Sequence, residues 1–438
     1  MILAFLISFL IGYFIISLID KKIETGIKAF LSLPIGFFLT SIFYFVFLLL
    51  NITNLSYYKL FEVLLLLSLA IIYFKRNHFE LKSFKFPKIS FWYVIVNIYA
   101  LSIFLKYFIQ SPFGSWDGLR IWNIKAEFLY QDVSSWKNIF LLPHYFMHND
   151  YPLFLPCSTA RLWQYSANDS IYANFMIGLL FTFGLGWFLY YMIDKFKSSK
   201  LAYLVSSIFL LSPTFLYNGA SQCADIPLAY FLFAAIACLF FYFDKDESHY
   251  IFLGIFLAGA SCWIKNEGLL FFAIYFLLIL ACLIGSRKTK MLKTAILSSA
   301  LPLLLLLLYK FINQSGNDLY SGIIEEQTYR YLLDFERYKM VFSVFVKTLI
   351  ENFSWLLLYF LLLLEGFHLN NEIKTPFYLS GLTLILMSFG YLFVYVITPH
   401  NLEWLLVNSL DRLVFHLLPL TIFLYCLALK MDFNQDKI

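Results

Sequence analysis

The sequence predicts an all-α, polytopic membrane protein, and three observations carry that expectation. Of 438 residues, 61% are hydrophobic and only 13% charged, whereas a soluble domain carries about 25% charged residues. A mean hydropathy of +0.76 implies more apolar surface than a water-soluble core can hide. The apolar residues also fall into blocks of roughly 16–25, the length that crosses a bilayer as a helix. A bilayer is therefore the first partner.

Taken in order, spans are expected near 1–19, 29–50, 56–74 and 90–109. They continue near 169–193, 201–217, 225–243, 249–264, 266–285 and 292–312, and end near 340–364, 375–397 and 411–430. That makes about thirteen transmembrane helices. Met1 runs straight into an apolar block with no basic residue before it. Such a start suits a first span with an outside amino terminus better than a signal peptide. The six cysteines have no CxxC or zinc-type spacing and read as small apolar filler.

Lysine and arginine set the expected orientation. One set of alternate connectors carries about nineteen of them, including Lys21, Lys22, Lys75, Arg76, Lys195, Lys197, Arg287 and Lys288. The opposite short connectors carry about three, Lys59, Lys265 and Arg412. Positive connectors stay in the cytoplasm, so the opposite set faces the periplasm or exterior of the inner cell membrane. The net charge of +5 is what this bias produces, and it gives no reason to expect nucleic acid as a partner.

Polar groups then gather on the outer side. The largest connector, residues 111–168, is aromatic-rich and too long for a plain link. It is expected to carry two interfacial helices. In the first, over 117–131, Leu119, Trp122, Ala126 and Leu129 form an apolar face, opposite Arg120, Asn123, Glu127 and Gln131. The second follows Pro156 with Arg161, Trp163 and Gln164. Between them run His144, His148, Asn149, Asp150 and Tyr151, which Pro143 and Pro152 keep irregular. Other outer groups are Asp225, the turn Lys265-Asn266-Glu267, and the loop 313–339 with Glu325, Glu326, Arg330 and Arg337. The last is the turn 398–412. Polar groups in a bilayer are costly and by default functional.

Each candidate has a plainer reading too. Asp117 and Asp225 suit helix caps. Lys265 can pair with Glu267 in a tight turn, Lys347 can pair with Glu351 one helical turn on, and Glu325 and Glu326 suit a solvated face. Trp116 and Trp122 suit an interfacial belt, with stacking on a sugar the sharper alternative.

The order of these features resembles a family. An outer Trp116-Asp117 is followed by two interfacial helices, then His148-Asn149-Asp150-Tyr151-Pro152, then Ala224-Asp225-Ile226-Pro227. Lys265-Asn266-Glu267-Gly268 and a late Ser409-x-x-Arg412 complete the series. Over residues 90–430 the chain resembles the GT-C superfamily of polytopic glycosyltransferases, kin to protein O-mannosyltransferases and lipid A aminoarabinose transferases. The resemblance implies transfer of a sugar from a polyprenyl-phosphate donor to a glycan, glycolipid or protein acceptor, with inversion. It implies a catalytic module at 90–312, preceded by accessory helices at 1–89 and followed by a carboxy-terminal loop and helices at 313–438. Asp117 matches the family's first-loop acid and is the expected general base. Asp225 is the second catalytic candidate, while Arg412, Lys265, Arg330 and Arg337 are the cations for the donor phosphate. Glu267, His148, Asp150, Tyr151 and Trp116 complete the expected substrate site. The family often pairs two acids in the first loop, but Gly118 follows Asp117 here. That departure leaves open whether Asp225 is the second carboxylate or a ligand for a divalent metal. The rival readings are a polymerase or ligase of lipid-linked glycans, a lipid-linked sugar flippase, and a non-enzymatic assembly factor.

The charge asymmetry makes a direct prediction. Cysteines placed at Ser134 and Gly316 should react with an impermeant thiol reagent added to intact cells, and cysteines at Asn77 and Thr289 should not. Labelling of the second pair alone would invert the orientation.

Overall fold

Apart from one isolated bridge between Phe367 and Leu429, all regular structure among the described residues is helical. The computed structural model describes residues 1–54, 56–76, 90–141, 147–288, 290–313, 326–351, 360 and 363–430, with backbone only at 326–329 and 351. His144, Asn77, Thr289, Gly316, Glu325 and the side chains of Glu326 and Glu351 lie outside the described residues.

Among the described residues ten helices are long and apolar enough to cross a membrane, so the chain is an integral membrane protein. They are α1 (Ile2–Ile19), α2 (Thr25–Leu49), α3 (Ser56–Arg76), α4 (Phe91–Gln110), α7 (Tyr172–Phe196), α10 (Asp225–Lys245), α12 (Asn266–Gly285), α13 (Lys290–Ile312), α16 (Lys374–Ile397, entered through a 3-10 turn at Asn371–Ile373) and α17 (Leu402–Ala428). Between α4 and α7 lie α5 (Ile124–Gln131) and α6 (Phe154–Ser166).

The three other expected spans take different forms. The block near 201–217 is broken into α8 (Ser199–Leu210) and α9 (Pro213–Ala220), bent by 60°. Pro213 cannot continue α8, and Ser212 caps α9 instead, its hydroxyl accepting the Phe215 amide at 3.4 Å. The block near 249–264 is a helix of 14 residues, α11 (Ser248–Ser261), shorter than a span. The block near 340–364 begins as α15 (Phe335–Glu351), after the short α14 (Glu326–Leu333), and then runs into residues outside the description.

The final helix starts well before the expected 411. Asn401 caps it by accepting the Trp404 amide at 2.9 Å, and the run from Leu402 contains no helix breaker until Pro419. Arg412 therefore sits inside the helix, nearly three turns from its start, and not at its mouth.

The chain forms two compact units. The first comprises Met1–Phe188, Leu210–Ala234 and Trp263–Lys265. Its helices α1 and α2 cross at glycines. A Cβ on Gly12 would lie 2.1 Å from the Ser32 carbonyl oxygen, and one on Gly36 would lie 1.8 Å from that of Ser8. Only small residues permit this approach, which is how apolar helices gain contact when hydrophobic driving force is absent. Ser8 and Thr40 share a hydrogen bond of 3.1 Å across the same crossing.

Helix α3 is held differently. Its two buried residues are Tyr58 and Glu62, and both meet Arg161 of α6. Arg161 donates from Nε and Nη2 to the two Glu62 oxygens at 2.8 and 2.9 Å. Its Nη2 also reaches the Ala4 carbonyl at 3.1 Å, and the Tyr165 hydroxyl donates to Glu62 at 2.6 Å. A bidentate ion pair of this kind, wholly buried, joins α1, α3 and α6 at one point.

The second unit comprises Leu189–Phe209, Ala235–Cys262 and Asn266–Ile438. Helices α11 and α13 meet where a Cβ on Gly259 would lie 2.9 Å from Pro302 Cβ, and Tyr275 of α12 donates to the Ala235 carbonyl at 2.9 Å.

Candidate functional site

The segment 111–168 folds onto the helices of the first unit. Trp136 is fully buried and donates to the Leu48 carbonyl at 3.1 Å, and Tyr44 of α2 donates to the Leu129 carbonyl at 2.9 Å. Helix α6 begins at Phe154, two residues before Pro156, and is buried from Phe154 to Trp163. A proline in the first turn is compatible with this start, because no intrahelical partner exists there for an amide.

The beginning of the first loop helix differs from expectation in two ways. Ser115 supplies the cap, its hydroxyl accepting the Gly118 amide at 3.2 Å, and Asp117 makes no side-chain capping bond. The carboxylate of Asp117 is thus not spent on the helix start. Residues Gly118–Asn123 then form a π-helical turn before α5 continues. That turn adds a residue to the repeat, so Leu119 rotates off the apolar face and is exposed while Trp122, Ala126 and Leu129 stay buried. Asn123, expected on the polar face, turns inward. It donates to Gln222 Oε1 at 2.9 Å and accepts from Asn174 at 2.8 Å.

These bonds clamp the loop to the turn before α10. Gln222, held at a φ of 60°, donates to the Pro112 carbonyl at 2.8 Å, and the Ser115 amide donates to the Ser221 carbonyl at 2.9 Å. A Cβ on Gly118 would lie 2.2 Å from that same carbonyl oxygen. Gly118 is therefore required for contact with Ser221. Trp116 beside it is 57% exposed.

Asp225 and Lys265 meet directly. Lys265 Nζ donates to Asp225 Oδ1 at 2.9 Å, and both side chains are nearly inaccessible. The turn Trp263–Lys265 packs within the first unit. There the Trp263 carbonyl accepts the Phe154 amide at 3.2 Å, and the Trp263 indole donates to Ser41 at 3.1 Å. An ammonium beside the Asp225 carboxylate makes a poor donor set for a divalent metal, which wants several oxygens.

Tyr151 completes the group. Its ring lies 5.6 Å from Lys265 Nζ, within cation–π range. It stacks on Trp122 at 5.7 Å and on His148 at 5.2 Å. Asn149 and Asp150 are buried in the same turn. The first unit thus brings His148, Asp150, Tyr151, Asp225 and Lys265 together, and clamps the Asp117 segment to the turn that leads into Asp225.

The remaining candidates belong to the second unit. Glu267 and Arg412 lie within electrostatic reach of the Tyr395 hydroxyl, which shares a hydrogen bond of 2.8 Å with Ser409. One helical turn from Tyr395, Tyr391 bonds His416 at 3.3 Å beside an apolar cavity of about 150 Å3 between α15, α16 and α17. Arg337 is engaged elsewhere. Its guanidinium donates to the carbonyls of Val396, Tyr395 and Thr398 at 2.9, 3.3 and 2.8 Å, closing the carboxy-terminal end of α16. Arg330 is exposed on α14.

Glu62 and Lys125 are further buried charges, neither of them among the candidates above. Glu62 was legible as the lone acid in the apolar run of α3. No family model, curated protein or solved structure matches the chain.

The pair predicts a thermodynamic cycle. Asp225→Asn and Lys265→Met should each lower stability by about 3–5 kcal/mol, because each removes the other's buried ion-pair partner. Thermal unfolding of purified protein should show the double variant losing clearly less than the sum. Additive losses would mean the two groups do not depend on each other.

Proposed function

We propose that the protein is a membrane glycosyltransferase of GT-C type, moving a sugar from a polyprenyl-phosphate carrier to a hydroxyl acceptor at the outer membrane face. The observation that carries this reading is the convergence of the first-loop segment, the His148–Tyr151 turn and the buried Asp225–Lys265 pair within one unit.

In the proposed reaction the acceptor oxygen attacks the anomeric carbon as Asp117 takes its proton. The bond from that carbon to the phosphate oxygen breaks, and its electrons leave with the lipid phosphate, inverting the centre. Asp117 suits the base because Ser115 performs the capping that an aspartate there would otherwise do. Asp225 suits a different task. Its Oδ1 already accepts from Lys265 Nζ at 2.9 Å, so it orients Lys265. On chemistry alone Arg412 is the group for the departing phosphate, since its fork matches phosphate oxygens. Arg337, already capping α16, is a structural group in this scheme. The acceptor is a glycan, glycolipid or protein.

The test is transfer in vitro from a polyprenyl-phosphate sugar by purified variants, normalised to folded protein. Asp117→Asn should turn over on the order of 10²–10⁴ more slowly at unchanged stability. Parent-like turnover by Asp117→Asn with a dead Asp225→Asn would move the base to Asp225. Parent-like turnover by both would remove the transferase reading.

A further inference from the structure

Lys125 is a buried cation that the proposed chemistry does not use. It lies on α5, 1% exposed, and its Nζ donates to the His148 carbonyl at 2.7 Å. The same carbonyl accepts the Tyr151 amide at 3.0 Å, which closes a turn whose His148 holds a φ of 42°. Left-handed backbone strains a residue with a side chain, and such turns persist where their surroundings over-determine them. The second bond to that carbonyl is such a determinant. What the turn presents is the Tyr151 ring, stacked on Trp122 and facing Lys265.

We propose that the Lys125 ammonium is a positioning group, holding the His148–Tyr151 turn so that the Tyr151 ring lies over the Lys265–Asp225 pair. Its consequence for turnover rests on the transferase reading; the placement of the turn does not.

The charge on Lys125 is conditional. Burial pushes its amine down to about 7, although the nearby Asp150 carboxylate raises it. The other ionisable groups around α5 make their own contacts or face solvent, and the imidazole of His148 in the same turn stacks on Tyr151 at 5.2 Å. Arg161 and Tyr165 of α6 meet at Glu62, Tyr44 of α2 donates to Leu129, and Lys137 lies over Trp136. Burial pushes the Cys157 thiol of α6 up and keeps it neutral. On the preceding turn Asp117 is half-buried and Arg120 is exposed, while Glu127 of α5 itself accepts from Gln131.

Two opposite trends follow. A hydrogen bond from an ammonium is stronger than one from a neutral amine, so the hold on His148 weakens as pH rises through about 7. Global stability moves the other way. Between that value and the ordinary lysine range near 10.5 the unfolded chain binds a proton that the folded chain does not, so stability rises with pH. A merely structural lysine would not loosen one turn while the whole fold became firmer.

The experiment is hydrogen exchange of the Tyr151 amide in the purified full-length chain, corrected for intrinsic rates, from pH 6 to 8.5. In the parent, protection should fall about tenfold across this range. Lys125→Arg, charged throughout, should remove the pH dependence, and Asp150→Asn should move the fall to lower pH. Lys125→Met should leave the amide poorly protected at every pH. Equal protection in the parent and Lys125→Met, or a flat parent profile, would overturn the proposal. Transfer from a polyprenyl-phosphate sugar is measured in parallel and should fall with protection. Absence of transfer with the exchange pattern intact would sink the transferase reading and still support the placement of the turn.

Discussion

The first unit depends on a rule of the apolar interior: a charge taken out of water must meet its opposite. Lys265 and Asp225 do so at 2.9 Å, and Arg161 and Glu62 do so in bidentate fashion. Each pair joins segments remote in sequence. The first fixes the turn Trp263–Lys265 against the start of α10, and the second ties α3 to α1 and α6. Breaking such a pair strands a charge at a cost far above that of a surface ion pair. The pairs therefore select one arrangement of helices whose apolar faces would tolerate several.

Around the Lys265–Asp225 pair the loop is built to a tight tolerance. Gly118 touches the Ser221 carbonyl where no other residue fits. Gln222 and His148 both take left-handed backbone, and both are locked by side-chain bonds, Gln222 through its own amide and His148 through Lys125. Strain held by specific partners is a feature of sites rather than of linkers. On the proposed reading, this rigidity keeps the acceptor oxygen and the anomeric carbon aligned.

Much of the fold was legible because its signals are long and periodic. Among the described residues ten blocks of apolar residues became helices, nine of them with boundaries shifted by a few residues. The exceptions have local causes. Pro213 broke one block, α11 proved too short, and the cap at Asn401 moved the last helix start back from 411. The candidate site was legible by residue type and not by partner. Asp225, Lys265 and Tyr151 could each be named from their place among apolar blocks, but pairing across about forty residues has no local signature. Lys125 was hidden for a related reason. On a helix it shares a face with Trp122 and Leu129, and a lysine there reads as snorkelling until its burial is seen. The cap at Ser115 was equally open to either neighbour, since both serine and aspartate cap well.

The central claim is that this chain transfers a sugar carried by a lipid phosphate. The most direct measurement compares the lipid-linked intermediates and envelope glycans of cells with and without the protein. Loss of one sugar residue from a glycan, with its polyprenyl-phosphate donor accumulating, is the result the account predicts. Accumulation of complete lipid-linked repeat units, with no single sugar missing, would contradict it and indicate polymerisation or ligation instead.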